Sequence, residues 1–159
     1  MPSRGELEAD GLSVEGIEDI QGSFRATPRQ LSGSVPGSEL EKMILDYDCS
    51  KIEVSWIRFL DKPVPHPHGI QVAYFEADMI IVSPTGTIVM YDHENADFVM
   101  AECAADSERF LDALITFLTI LRNRSKWKGQ YNAAVELCAE KAGGRNYAKF
   151  FNVLCGFLA

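Results

Sequence analysis

The sequence lacks the short motifs by which much enzyme chemistry is recognised. It contains no Gly-rich phosphate loop, no G-x-S-x-G nucleophile motif and no H-E-x-x-H zinc motif. Each of those motifs places reactive groups on one local element, so a chain without them offers no reaction to infer from residue pattern. From the residues alone we expect a soluble globular domain that needs no cofactor.

Long apolar runs and an ordered cysteine spacing are also missing. No apolar run approaches 18 residues, which predicts that the chain has no transmembrane helix. The first residues lack the basic and then apolar layout of a secretory signal. Four cysteines stand at positions 49, 103, 138 and 155, and their separations fit no zinc or redox motif. We therefore expect four reduced, structural thiols and a cytoplasmic protein.

Basic residues are scarce in the first two thirds of the chain. The net charge is −8, and residues 1–100 hold 7 Lys and Arg against 17 Asp and Glu. Such a balance disfavours nucleic acid and favours a basic protein as partner. A merely soluble acidic surface is the alternative. A small basic cluster, residues 122–128, could itself carry binding, although cations at the end of a helix explain it more simply.

The clearest local pattern lies in residues 79–121. Two apolar runs, 79–82 and 87–91, flank Ser83-Pro84-Thr85-Gly86, which predicts a tight hairpin with a type I turn and strands covered on both faces. Asp106 or Ser107 then offers the N-cap of an amphipathic helix. This helix is expected to bury seven apolar residues, namely Phe110, Leu111, Leu114, Ile115, Phe117, Leu118 and Leu121.

The chain before the hairpin is harder to interpret. Residues 1–37 hold 6 of the 12 glycines and are poorly patterned; a short helix over Val14, Ile17, Ile20 and Phe24 and a loop from Thr27 to Gly37 are the expectations. Residues 38–159 form the predicted domain. They begin with a short helix capped by Ser38, followed by a strand from Lys51 to Leu60 with Trp56 facing inward.

Residues 61–69 contain three prolines within five residues, which predicts a stiff exposed loop rather than part of a central strand. Ile70, Val72 and Tyr74 then alternate as the buried side of another strand. Two further helices are expected at the end of the chain, one stopped by Gly143-Gly144 and one capped by Asn146. The fold class is therefore a single α+β domain, with an antiparallel sheet of about four or more strands packed by C-terminal helices.

Three sets of residues could carry chemistry, and each has a simpler interpretation. His66 and His68 could bind a metal, but the loop offers no further ligand nearby, so we expect no metal site. Asp92, His93 and Glu94 should point apart as successive residues do in a strand. Cys103 could act as a nucleophile with His93 as its base, although no oxyanion motif surrounds it.

Two segments resemble the SUKH superfamily. Thr87–Glu94 is similar to that family's strand ending in an aromatic-Asp-His-Glu run, and Ala104–Leu111 to the Ala-Asp-Ser and Phe-Leu start of its long helix. The resemblance covers roughly residues 70–122. The sequence differs from the family's pattern near its N-terminus, where Ala26-Thr27-Pro28 and residues 33–37 replace the family's Leu-Pro and Asn-Gly features.

The resemblance implies a non-enzymatic α+β domain that acts as an immunity protein, binding and occluding a cognate bacterial toxin, or as a regulatory scaffold. The partner is expected to be a basic protein, and the chain itself a monomer or weak dimer that binds neither nucleic acid nor membrane. Two other classes stay open. An acidic secretion chaperone would form a stable dimer, and a small hydrolase would show a cleft with perturbed titratable groups.

The candidate partner-binding residues are the acidic side chains around the predicted loop and strand ends, together with an aromatic anchor and the histidines among them. They are Asp46, Asp48, Trp56, Asp61, His66, His68, Glu76, Asp78, Asp92, His93, Glu94 and Asp97.

Overall fold

The computed structural model describes residues 26–29 and 35–158, together with positions 5, 13–15 and 18. Within residues 26–29 and 35–158, eight strands and five helices form one α+β unit. The strands are β1 (Thr27–Pro28), β2 (Tyr47–Asp48), β3 (Glu53–Val54), β4 (Ile57–His66), β5 (Gly69–Phe75), β6 (Asp78–Val82), β7 (Ile88–Tyr91) and β8 (Val99–Ala104). The helices are α1 (Glu39–Asp46), α2 (Ser107–Arg122), α3 (Arg124–Trp127), α4 (Tyr131–Ala142) and α5 (Ala148–Leu154), with 3-10 turns at Arg145–Tyr147 and Gly156–Leu158.

The main sheet is an antiparallel meander. Its spatial order, β3-β4-β5-β6-β7-β8, follows the order of the chain, so each strand pairs with the next. One face of the sheet carries the main core, which also includes buried residues of α1, α2, α4 and α5. The predicted α+β fold, with an antiparallel sheet packed by C-terminal helices, is confirmed. Among the described residues, no helix is long and apolar enough to cross a membrane.

The β6–β7 hairpin forms as predicted. The N–H of Gly86 donates to the carbonyl of Ser83 at 2.9 Å, which closes the turn, and Gly86 takes the positive φ of +89° that glycine tolerates. Ile80 belongs to the main core, whereas Ile81 belongs to a second small cluster with Val89 and Tyr91. The two strands are therefore buried on both faces, and their unbroken apolar pattern reflects this.

Helix α2 begins at the predicted cap. The Asp106 carboxylate accepts the N–H of Arg109 at 2.8 Å, and Phe110, Leu114 and Phe117 are buried below it. The predicted stripe was too wide, because Ile115 is 61% exposed. Residue 115 lies five positions after Phe110, which at 100° per residue is about 140° away around the helix and outside the buried face.

The prediction for residues 51–69 was wrong in two places. A turn at Ser55 and Trp56 divides the predicted single strand into β3 and β4 and leaves Trp56 46% exposed rather than inward. The predicted proline-rich loop is instead the second half of β4, paired with β5 at Val64–His66. Since β3 pairs only with Ile57 and Arg58, this half of β4 is an edge in the described structure, where proline costs no ladder hydrogen bond.

Strand β5 also differs from its predicted alternation. Its pairing with β6 shifts between Gln71 and Ala73, which is a β-bulge. Beyond the bulge the parity changes, so Ala73 and Phe75 are buried and Tyr74 is 36% exposed. The expectation that Tyr74 faces the core is therefore wrong.

The C-terminal helices pack as expected, with one difference at a cap. Gly143 ends α4 in a left-handed conformation at φ +120°, as the Gly-Gly pair predicts. Asn146 is not the cap of α5, because residues 145–147 form a 3-10 turn and Tyr147 takes that position. All four cysteines are free and buried, in agreement with the expected structural thiols.

The N-terminal predictions are only partly covered by the structure. Thr27 and Pro28, expected in a loop, form β1 and pair with β2. Of the four apolar residues of the predicted helix, Val14 is helical and 54% exposed, whereas Ile17, Ile20 and Phe24 lie outside the described residues.

Candidate functional site

Three connections of the meander meet at one end of the main sheet. They are the β3–β4 turn at residues 55–56, the β5–β6 turn at 76–77 and the β7–β8 connection at 92–98. Alternate connections of an antiparallel meander lie at the same end of the sheet, since each strand reverses the chain. We call this region the acidic end, because it carries Glu76, Asp78, Asp92, Glu94 and Asp97.

A close contact between Asp78 and His93 lies at the centre of the acidic end. The register of β6 with β7 pairs Met79 with Tyr91, which brings the residues just outside this pair together. The Nδ1 atom of His93 lies 2.7 Å from Oδ1 of Asp78, and the same oxygen accepts the backbone N–H of His93 at 3.2 Å. The hydrogen bond to Asp78 raises the pKa of His93 above its ordinary value, and burial opposes that shift only in part.

Asp92 approaches the same nitrogen of the imidazole. Its Oδ1 atom lies 4.0 Å from Nδ1 of His93 and accepts the N–H groups of Glu94 at 2.7 Å and Asn95 at 3.3 Å. The expectation that Asp92 and His93 point apart is therefore wrong, because the chain leaves the extended conformation directly after Tyr91. One ligand atom from each of Asp78, Asp92 and His93 lies within 4.8 Å of the others, which is compatible with holding a metal ion.

The β4–β5 hairpin tip contributes the other two histidines. The ring of His68 stacks on Tyr91, with centroids 4.8 Å apart and an interplanar angle of 4°, and His66 lies 5.5 Å from His68. The Nε2 atom of His68 lies 2.8 Å from Oδ1 of Asp97 in the β7–β8 connection. The tip therefore folds over the sheet face that bears Tyr91 and reaches the acidic end.

Exposed apolar side chains accompany the acids. Trp56 is 46% exposed, Phe98 55% and Val99 45%. The Trp56 ring packs edge-on against the buried Phe75 at 5.7 Å, so its position is fixed by the sheet. Phe98 and Val99 were not among the predicted site residues, although an apolar pair directly after a polar connector is a signal that could have identified them.

The structure divides the predicted site residues into two groups. Asp46, Asp48 and Asp61 form the smaller group beside Arg29. The Arg29 side chain binds the carboxylates of Asp48 and Asp61, whereas Asp46 contacts Arg29 only through a backbone hydrogen bond. A cation already occupies this group, so its charge is partly neutralised. The larger group lies at the acidic end or contacts it, and comprises Trp56, His66, His68, Glu76, Asp78, Asp92, His93, Glu94 and Asp97.

Cys103 cannot serve as a nucleophile for His93. It is fully buried in β8, and burial raises the pKa of its thiol well above the ordinary value. A protonated thiol away from solvent neither attacks nor meets a substrate.

The basic cluster at 122–128 lies where α2 ends and α3 follows. Arg124, Lys126 and Lys128 are exposed, whereas Trp127 packs partly against the core. These cations stand at helix ends, as the simpler interpretation expects.

A scan against protein-family models finds no match to this chain, and searches of curated proteins and of solved structures find none either. The resemblance to the SUKH superfamily stays a prediction from its two motifs, which the structure locates at the end of β7 and the start of α2.

Proposed function

We propose that this chain is a non-enzymatic binding protein that uses its acidic end to cover a basic surface of a protein partner. The resemblance to the SUKH superfamily implies one kind of such binding protein, an immunity protein that binds and occludes a bacterial toxin. The observation that carries the proposal is the gathering, at one end of the sheet, of acidic side chains that are far apart in sequence together with exposed apolar ones.

The composition of the acidic end fits a protein interface. Large aromatic residues provide buried contact area and are favoured anchors, and Trp56 and Phe98 are both about half exposed. Carboxylates around such anchors increase the rate of association with a basic surface and disfavour acidic competitors. Glu76 and Glu94 are exposed, and the turns that hold them are fixed by backbone hydrogen bonds, including Glu76 N–H to Trp56 carbonyl at 2.8 Å.

Rigid presentation supports occlusion as the mechanism. The acidic end consists of two tight turns and the 92–98 connection, which is closed by the Asp92 N–H bonding the Phe98 carbonyl at 3.1 Å. The His68 contact to Asp97 ties the hairpin tip to this connection. A surface ordered before binding loses little conformational entropy when it meets its partner. Such a surface can block an active site without changing shape.

The proposal predicts that a toxin gene lies beside the gene for this chain, and it is tested by co-expressing the two in a bacterial host. The chain should restore growth, and the double variant Glu76→Lys, Glu94→Lys should not. Asp112→Lys with Glu140→Lys changes the net charge equally on helices α2 and α4, and should protect like the unchanged chain. Failure of the unchanged chain to protect, or equal protection by both double variants, would overturn the proposal.

A further inference from the structure

We propose that Asp78, Asp92 and His93 form a binding site for a divalent transition-metal ion of the zinc type. The three residues come from two neighbouring strands whose register brings them together at the acidic end. No metal site was expected from the sequence, because only the His66 and His68 pair suggested one and Asp78 stands 14 positions before Asp92.

The donor set selects the class of ion. One imidazole nitrogen and two carboxylate oxygens suit zinc and similar transition metals, whereas calcium and magnesium prefer oxygen ligands alone. Three protein ligands leave a fourth position open for water, which is the usual arrangement at an accessible zinc site. The Asp78 side chain is only 16% exposed and is therefore held by its surroundings, whereas the His93 side chain is 50% exposed, so an ion can reach the site from solvent.

Two of the three distances between ligand atoms need only small adjustment to surround an ion, and the third, between Asp78 and Asp92, is no more than 4.8 Å. Nδ1 of His93 lies 2.7 Å from Asp78 Oδ1 and 4.0 Å from Asp92 Oδ1. Ligand atoms around a tetrahedral zinc ion lie about 3.3 Å apart, given metal–ligand bonds near 2.0–2.1 Å. The first distance must therefore lengthen and the second shorten by less than about 1 Å, which rotation of the exposed imidazole can supply.

The carboxylates are already oriented by the backbone. Asp78 Oδ1 accepts the N–H of His93, and Asp92 Oδ1 accepts two N–H groups of its own connection. Contacts of this kind hold metal ligands in position and reduce the cost of binding.

A hydrogen-bonded Asp–His pair without metal affinity is the competing interpretation, and His68 with Asp97 provides a matched example. That pair has a similar separation, 2.8 Å, but no third ligand that completes a cluster among the described residues. Comparing zinc binding after replacement of His93 or of His68 therefore distinguishes a three-ligand site from an ordinary contact between histidine and aspartate.

The test is a calorimetric titration of the chelator-treated full chain with zinc chloride. We expect one equivalent to bind, and His93→Gln and Asp92→Asn to weaken binding by at least about tenfold. His68→Gln should leave the affinity unchanged, and magnesium chloride at the same concentration should not compete. Circular dichroism spectra of each variant check that the fold is kept, and the exposed position of His93 makes its replacement the decisive one.

Absence of stoichiometric zinc binding by the unchanged chain would overturn the proposal. So would an equal affinity in His93→Gln, or an equal loss in His68→Gln, because either result would show binding that does not depend on the three-ligand site. The measurement needs no protein partner, so its failure is separate from a failure of the proposed function.

Discussion

The carbonyl oxygen of Val82 occupies the space that a side chain on Gly69 would need. A Cβ at position 69 would lie 2.0 Å from that oxygen, and Gly69 has a φ of +140°, which other residues rarely adopt. This close approach of β5 to β6 lies at the base of the hairpin tip that brings His68 onto Tyr91.

Replacing Gly69 should therefore be costly. We expect Gly69→Ala to lower the free energy of unfolding by at least about 3 kcal/mol, because it adds an overlap with fixed backbone to the unfavourable φ. The stacking of His68 on Tyr91 should weaken, which the ring-current shift of the His68 protons would report. Gly86→Ala is the control: Gly86 also has a positive φ but open space around it, so about 1–2 kcal/mol is expected. Equal losses in the two variants would mean that the contact with Val82 is unimportant.

Helix α2 provides a matched pair of substitutions on one element. Leu114 is 3% exposed and belongs to the main core, whereas its neighbour Ile115 is 61% exposed. Leu114→Ala should lower the free energy of unfolding by about 2–5 kcal/mol, as buried leucines do. Ile115→Ala should change it by no more than about 0.5 kcal/mol. Urea denaturation of both variants measures the difference, and similar losses would place the buried face of α2 elsewhere.

The elements that could be predicted are those specified by neighbouring residues. The β6–β7 turn depends on four consecutive residues, and the cap of α2 depends on Asp106 and the N–H of Arg109. Local hydrogen bonds and helical spacing determine such features, so they can be inferred from the sequence pattern.

The elements that could not be predicted depend on which strands become neighbours. Pro63 and Pro65 argue against a strand only if that strand is central, and nothing in the sequence shows that β3 is too short to cover this part of β4. The contact of Asp78 with His93 likewise requires the register of β6 on β7. Tyr74 faces outward because a β-bulge precedes it in β5. The charge pattern was enough to choose the acidic residues as candidates for the binding site. Which of them lie beside Arg29 and which at the acidic end depends on the fold and could not be predicted.

Asp48 gives the expected dependence of stability on pH. The hydroxyl and N–H of Ser50 donate to its carboxylate at 2.6 and 3.1 Å, and these bonds lower the pKa of Asp48 in the folded protein. A lowered folded-state pKa means that the carboxylate stabilises the fold above the unfolded pKa, about 3.9, and that this contribution is lost as pH falls through the folded value. The stability difference between the unchanged chain and Ser50→Ala should therefore shrink between about pH 6 and pH 2. A difference independent of pH would show that Ser50 acts on the turn and not through the carboxylate.

The reactivity of the four cysteine thiols should reflect their burial. All four cysteines are free and buried, and burial raises the pKa of Cys103 in particular. In the native, non-reduced protein we expect a thiol reagent to react slowly at all four positions, because each side chain is buried away from solvent. After denaturation without reductant, all four should react. Two or fewer reactive groups would indicate a disulfide and contradict the four free thiols of the structure.

The decisive measurement is the rate at which the chain associates with the proposed basic protein partner. Stopped-flow measurements between about 50 and 500 mM salt, where the Debye length shortens from roughly 14 to 4 Å, should show a marked slowing for the unchanged chain. Glu76→Lys with Glu94→Lys should associate slowly at low salt and lose most of that salt dependence, whereas Asp112→Lys with Glu140→Lys should behave nearly like the unchanged chain. If the double variant of the acidic end kept both the rate and its salt dependence, the acidic end would not be the binding surface, and the exposed cations at residues 122–128 would become the better candidate.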